Sequence, residues 1–389
     1  MFNKIEMAPK TKKNISILSI SLASGGAEKV ISLLLKELRH DYNVTLVLFH
    51  KVFHFSVPEG IEIFAMSENL PNRPFYKKIF DSILFIIKYY RFVKKNNVEI
   101  SISFLAFPNL INGIVATFNK NVKTIISERG FPSDNVTSRL SLYISKLFYP
   151  IFYNKCDKLF SNSVYINNDL KDNFGVKIPM EVIYNPIELP IKTIKPEQLN
   201  IETKKLKLIT AGTINKRKNQ IMIIRAISES NLEYNFSILG DGDLKEYLKQ
   251  AIIQRKLNDQ IALKGKVKNV NEFLLNNQCF VLSSFTEGFP NALIEAMAIG
   301  LPCVSTNCLS GPLELLNEND PIQINDGDFY IGKYGLLVNN DDHIGLSKAL
   351  DFYHNNPSER ERFSSLGMKR AKAYELKTIY NQFKQFIKC

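Results

Sequence analysis

At 389 residues and 45% hydrophobic composition, the chain is too long for one ordinary core and reads as two domains of roughly 150–200 residues each. A net charge of +12 favours an anionic partner, phospholipid or a phosphorylated ligand, and the lack of any RNA- or DNA-binding motif argues against nucleic acid. The five cysteines form no Cys-x-x-Cys pair, MFNKIEMAPKTKKN has no apolar leader, and no run of 18 apolar residues occurs; the expectation is a cytoplasmic protein with reduced thiols, peripheral on the inner face of the cell membrane.

Residues 14–20, NISILSI, read as a buried strand, SLASGGAEK as a glycine turn, VISLLLKEL as a helix and NVTLVLF (43–49) as the next strand: a βαβ unit of a parallel sheet. The stretch 75–95, FYKKIFDSILFIIKYYRFVKK, interleaves six basic residues and one acidic with Phe, Ile, Leu and Tyr. It predicts a basic amphipathic helix lying on an anionic membrane surface. Strands follow at 99–105, 122–127, 158–163 and 181–186. RLSLYISKLFYPIFYNK (139–155) is also aromatic and basic, and is expected to bury its apolar stripe in the domain core.

Composition shifts near residue 186, where Pro186, Pro190 and Pro196 punctuate a charged stretch. The division expected is a first domain over 1–188, a linker over 189–204, a second domain over 205–372, and a helix over 373–389 that packs back on the first domain. Strand-and-turn patterns restart at KLKLITAG (205–212), NFSILGDGD (235–243), IALKGKV (261–267), CFVLSS (279–284) and PCVSTN (302–307). Both halves are therefore Rossmann-like α/β domains. Such pairs bind ligands in a crevice at the carboxyl ends of their strands.

FTEGFPNALIEAMAIG (285–300) follows a predicted buried strand. Pro290 suits the first position of a helix, which places Glu287 on the preceding loop and Glu295 in the second turn. The amides of Asn291 and Ala292 then favour an anion or a hydroxyl-rich ligand, and the two carboxylates suit sugar hydroxyls. AGTINKRKNQ (211–220) gathers three cations after another strand. Asp241-Gly242-Asp243 sits in a tight turn, which favours turn chemistry over a metal site.

The block from Glu287 to Val304 resembles the E-x7-E signature of family 4 glycosyltransferases, retaining enzymes of GT-B fold. Weaker matches fall in the family order: Gly25-Gly26-Ala27-Glu28, Val182 to Pro186, Gly240-Asp241-Gly242, Gly265-Lys266-Val267, Ser310 to Glu314 and Gly335 to Val338. The resemblance implies that Glu287 contacts the donor sugar, that the backbone amides beside it at Gly288, Phe289 and Asn291 hold the sugar and phosphate, and that Glu295 binds the ribose. It implies that Lys218 contacts the diphosphate, that Lys266 and Val267 frame the base, and that Gly311 lies over the phosphate side. Thr213 stands where the family has an arginine, so Arg217 or Lys216 would supply the second cation. Gly25 and Gly26 would face acceptor and diphosphate. The family often has a histidine in the region of SERGFPSDN (127–135); the five histidines here lie elsewhere, and Glu128 and Arg129 stand instead, with Arg129 expected to bind a diphosphate or phosphate.

What the resemblance implies is metal-independent transfer of a hexose or N-acetylhexosamine from a UDP-linked donor. The acceptor expected is a polyprenyl-diphosphate oligosaccharide, in surface polysaccharide assembly. A UDP-sugar epimerase of the same fold, or a non-catalytic membrane-bound nucleotide-sugar-binding protein, are the alternatives.

Overall fold

The computed structural model describes residues 12–23, 25–67, 75–134 and 139–389. Residues 1–11, Ser24 and Asn135 lie outside the described residues, as do the side chains of residues 75–79. The chain forms two compact α/β units.

The first unit comprises Met1–Ser161, Asn167–Ile183 and Tyr380–Cys389. Its elements run β1 (Asn14–Ser19), α1 (Gly26–Asp41), β2 (Asn43–His50), β3 (Glu62–Ser67), α2 (Phe75–Lys95) and β4 (Ile100–Phe104). They continue as α3 (Ala106–Phe118), β5 (Lys123–Glu128), α4 (Arg139–Phe152), β6 (Lys158–Ser161), α5 (Val164–Phe174) and β7 (Met180–Val182). The seven strands lie in the order β3-β2-β1-β4-β5-β6-β7, and every pairing is parallel. Central strands such as β4 are buried at each position, hence their near-continuous apolar or small-residue runs. Edge strand β3 has three exposed residues at its start, so no alternation marked it as a strand.

The second unit comprises Asn162–Ile166 and Tyr184–Ile379. It contains β8 (Lys205–Ala211), α6 (Gln220–Glu229), β9 (Glu233–Leu239), α7 (Lys245–Gln254), β10 (Ile261–Gly265), α8 (Val270–Leu275), β11 (Cys279–Leu282) and α9 (Asn291–Ile299). Then come β12 (Cys303–Thr306), α10 (Pro312–Asn317), β13 (Phe329–Ile331), β14 (Leu336–Val338), α11 (His343–Asn355) and α12 (Pro357–Ala371); α13 (Leu376–Lys388) starts in this unit and from Tyr380 belongs to the first. The strand order is β10-β9-β8-β11-β12-β14-β13, parallel except for the last pair. Its core gathers Leu208, Ile224, Phe236, Val281, Leu350 and Phe363 among others. Strands β13 and β14 have three residues each, too few to show a period.

Three features differ from the sequence-based expectation. The stretch 189–204 belongs to the second unit rather than to a linker: Ile194 N donates to Ile299 O at 2.8 Å, Leu199 is buried, and the buried Arg360 donates to the carbonyls of Leu199 and Ile201 at 3.2 and 2.6 Å. The change of unit falls at Ile183–Tyr184. Pro290 is the N-cap of α9 and not its first helical residue; its carbonyl accepts from Leu293 N and Ile294 N. The apolar stripe of α4 is exposed rather than buried, because the helix packs inward through Tyr149, stacked on Tyr153 of the 3-10 turn that follows it.

Residues from Tyr380 onward group with the first unit. Phe383 and Phe386 pack on Phe160, with ring centroids 5.1 and 5.6 Å away, and Tyr380 and Lys384 each reach Asp41 at 2.6 Å. Among the described residues, no helix is long and apolar enough to cross a membrane.

Candidate active site

In the second unit the strand order reverses between β8 and β11, so the loops that leave these neighbours diverge and open a site at their carboxyl ends. Those loops are 212–219 and 283–290. The first is shaped by Asn215, whose Oδ1 accepts from Lys218 N at 3.0 Å and caps a 3-10 turn over Lys216–Lys218. That turn aims two cations at one carboxylate. Lys218 Nζ lies 2.5 Å from Glu287 Oε1, and Arg217 Nη1 lies 3.1 Å from Oε2. Ser284 Oγ donates to Oε1 at 2.5 Å. The backbones are joined as well: Phe285 N donates to Arg217 O at 2.8 Å and Ser283 Oγ to Lys218 O at 2.9 Å.

Glu287 is 5% exposed. Burial pushes its carboxyl up, and the adjacent Lys218 and Arg217 outweigh that and hold it below the ordinary carboxylate range. The charge-assisted contacts fix the rotamers of both cations, while the Arg217 side chain remains 44% exposed. Fixed cations beside a helix N-terminus have the chemistry to take a phosphate or diphosphate.

The rear of the Glu287 loop is braced by the β12–α10 connection. Glu287 N donates to Leu309 O at 2.9 Å, and Ser310 Oγ donates to the carbonyls of Glu287 and Gly288 at 2.7 and 2.8 Å. Gly311 has φ +99°, and a Cβ there would lie 2.5 Å from Pro290 Cδ. Gly311 thus supports the loop from behind.

The remaining expected donor residues divide. Glu295 is half-buried on α9, one turn beyond Asn291. Asn291 Oδ1 accepts from Asn185 at 2.7 Å, and Asn185 Oδ1 accepts from Asn162 at 3.2 Å, so this side chain anchors the helix start. The Phe289 ring is buried and packs between Tyr184 and Tyr374, at 5.2 and 5.6 Å, which fixes the loop backbone from Gly288 to Pro290. Thr213 is exposed and shares no contact with Glu287; its carbonyl accepts from Gln220 at 3.0 Å. Lys266 and Val267 follow β10, with Lys266 exposed. Asp241-Gly242-Asp243 is a turn: Asp241 Oδ1 accepts from Gly242 N at 3.0 Å. Among the described residues, no group of three or more His, Cys, Asp or Glu is arranged to hold a metal ion.

In the first unit, Gly25 is the N-cap of α1 and Gly26 its first residue. A Cβ on Gly25 would lie 2.2 Å from Glu28 Oε2, so the missing side chain lets that carboxylate fold over the turn. Glu128 ends β5 at 2% exposure and accepts from Tyr153 Oη at 3.2 Å; burial raises its carboxyl to about 7. Arg129, 8% exposed, lies over the rings of Phe160 and Phe104 at 4.7 and 5.3 Å and donates to Ile183 O at 3.4 Å. Both were expected to face a ligand; the structure buries both where β5 ends, with Glu128 tied to the 3-10 turn that follows α4.

Sequence reasoning missed Ser284 and Asn162, and it did not foresee that Ser310 braces the Glu287 loop or that Asn185 bonds Asn291, although Ser310 and Asn185 fall in weaker family matches and Asn291 in the E-x7-E block.

The chain matches the family model "Glycosyltransferase Family 4" over residues 24–189 and "Glycosyl transferases group 1" over residues 191–370. It is 27% identical over 370 residues to the N-acetylgalactosamine-N,N'-diacetylbacillosaminyl-diphospho-undecaprenol 4-alpha-N-acetylgalactosaminyltransferase of Campylobacter jejuni, covering 93% of this chain and 96% of that one. It is 30% identical over 308 residues to an uncharacterized glycosyltransferase of Methanocaldococcus jannaschii, covering 72% of this chain and 74% of the relative. Among solved structures, HepE of Anabaena, in complex with UDP and glucose, superposes with a TM-score of 0.75 at 15% identity over 97% of this chain and 99% of that one. With two parallel-sheet domains of GT-B type and both halves matched by its models, the chain belongs to the family 4 glycosyltransferases.

Proposed function

We propose that the protein moves a hexose or N-acetylhexosamine, with retention, from a UDP-linked donor to a polyprenyl-diphosphate-linked oligosaccharide in surface polysaccharide assembly. The observation that carries the reading is the pair of cations, Lys218 and Arg217, fixed on Glu287 where the second sheet reverses its strand order. Relatives whose names specify diphospho-undecaprenol acceptors support the acceptor class.

In front-face transfer the anomeric C–O bond to the diphosphate breaks as the acceptor oxygen bonds to the same carbon on the same face. The acceptor proton passes to the departing phosphate oxygen. Negative charge grows on the leaving diphosphate, and Lys218 and Arg217 stabilise it there. Glu287 touches the sugar and orients both cations; Glu295 reaches the ribose; the N-terminus of α9 lies between them. The reaction needs no metal, because fixed cations take that role. Access to a lipid-linked acceptor places the protein on the inner face of the cell membrane, with α2 at the surface through Phe80, Ile83 and Ile87, all exposed, and a run of four cations from Lys88 to Lys95.

Incubating the protein with UDP-sugars and extracted polyprenyl-linked glycans, with and without chelator, tests this. The expected product is an α-glycoside by NMR anomeric coupling, formed equally in chelator. A β-linked product sinks retention, and activity abolished by chelator and restored by Mg²⁺ sinks metal independence.

A further inference from the structure

The helix α4 has two opposite faces. The inward face carries Tyr149, whose ring stacks 4.3 Å from that of Tyr153, at 11°; Tyr153 opens the 3-10 turn that follows the helix and has its Oη on Glu128. Gly113 of α3 lets that helix approach closely, since a Cβ there would lie 2.4 Å from Phe152 O. The outward face carries Tyr143, Ile144, Leu147, Phe148 and Ile151, which are 71, 45, 59, 37 and 46% exposed. Their spacing of i, i+1, i+4, i+5 and i+8 confines them to about 140° of the helix circumference. Single exposed apolar residues are ordinary, but five large ones on one helix face mark a surface that is covered in use.

Charge selects what covers it. Lys146 and Lys155 are exposed beside this face, and no acidic residue occurs from Arg139 to Cys156. A symmetric contact with a second copy would set this uniformly basic surface against itself. An anionic bilayer instead offers acyl chains to the apolar face and phosphates to the lysines, with Tyr143 and Phe148 at headgroup depth.

We propose that the outward face of α4 is a membrane-docking surface in addition to α2, inserting below the headgroups of an anionic phospholipid bilayer. The inference deepens the proposed function, since it rests on an acceptor that is lipid-linked. Through Tyr153 and Glu128 the docked helix is tied to the end of β5, so docking also fixes the height of loop 129–134 above the membrane.

The test uses the full chain and vesicles of equimolar phosphatidylglycerol and phosphatidylcholine. Leu147→Glu/Ile151→Glu should lower vesicle partitioning at least ~10-fold, with an unchanged melting temperature and unchanged transfer to a water-soluble, short-chain acceptor. Because the chain contains no Trp, Leu147→Trp is a lone reporter whose emission should shift to the blue on vesicle addition. Three results would overturn the proposal: no vesicle binding by the unaltered protein; unaltered binding by the double variant, with loss only in Ile83→Glu/Ile87→Glu of α2; or a dimer in sedimentation that the α4 variant dissolves. The two readings fail separately. Vesicle binding through α4 without sugar transfer to any acceptor ends the transferase reading and leaves the docking face. Transfer to the soluble acceptor without vesicle binding does the reverse.

Discussion

Glu287 holds its charge against burial because two cations and a hydroxyl surround it. Removing one partner therefore alters the others. Lys218→Ala deletes the cation that the proposed reaction sets beside the leaving group and should lower kcat at least ~100-fold, the scale of losing one transition-state partner. Glu287→Ala leaves both cations with free rotamers, and turnover should drop as far with donor affinity changed less, because the cations still attract the diphosphate. Near-unaltered turnover in either variant, in a coupled UDP-release assay, removes the assignment. Both glutamates were legible in the sequence, because their spacing is a local covalent fact. The bonds of Ser310 and Asn185 were not, since each meets its partner only after the chain has brought together segments 23 and 106 residues apart.

Glu128 makes a different prediction at the same scale. Its carboxyl is raised by burial from 4.5 to about 7. Below pH 4.5 the folded and unfolded chains both hold the proton, and the stability associated with the neutral group is fully present. Between 4.5 and about 7 the unfolded chain ionises first, so unfolding releases a proton and stability falls as pH rises. Thermal melts from pH 5 to 7.5 should therefore show a downward slope that Glu128→Gln flattens. Parallel slopes in the two proteins would show that Glu128 is ionised throughout.

At the scale of elements, the parallel strands were legible because they are buried on both faces and read as apolar runs bounded by turns. The orientation of α4 was not. Its sequence shows an apolar stripe, which ordinarily goes inside, and periodicity does not show that this one stays out; the stacking of Tyr149 on Tyr153 decides which side packs inward. Glycines set how closely the loops of the site approach. At Gly240, with φ +137°, a Cβ would lie 1.9 Å from Gly212 O, and at Gly242 it would lie 2.0 Å from Ile214 O. The β9–α7 turn is thereby pressed onto the loop that carries Arg217 and Lys218. Gly240→Ala should cost about 1–3 kcal/mol in urea unfolding and raise KM for the donor more than it lowers kcat. A stable variant with an unchanged KM would show that the cation loop does not depend on that contact.

For the whole molecule, the order of the chain and the order of the structure part company at the end. Residues 380–389 complete the first unit although the second lies between them and Ile183 in sequence. The reason is in the residues: Tyr380, Phe383, Phe386 and Ile387 are all nearly fully buried, and Lys123 and Lys158 donate to the carbonyls of Ile387 and Phe386 at 2.9 and 3.4 Å, matching cations to a helix C-terminus. At ~1.5–3 kcal/mol for each fully buried large side chain, losing the segment removes much of the ~5–15 kcal/mol that ordinarily holds a domain. A chain ending at Ile379 should therefore show two calorimetric transitions, with the first unit melting well below the second. It should still bind a nucleotide sugar, because Glu287, Lys218, Arg217 and Glu295 all belong to the second unit, yet transfer nothing. Adding a peptide of residues 373–389 should raise the lower transition in a concentration-dependent way. One unshifted transition in the shortened chain would mean that the first unit stands without its last helix, and that the return of the chain serves something other than the fold of that unit.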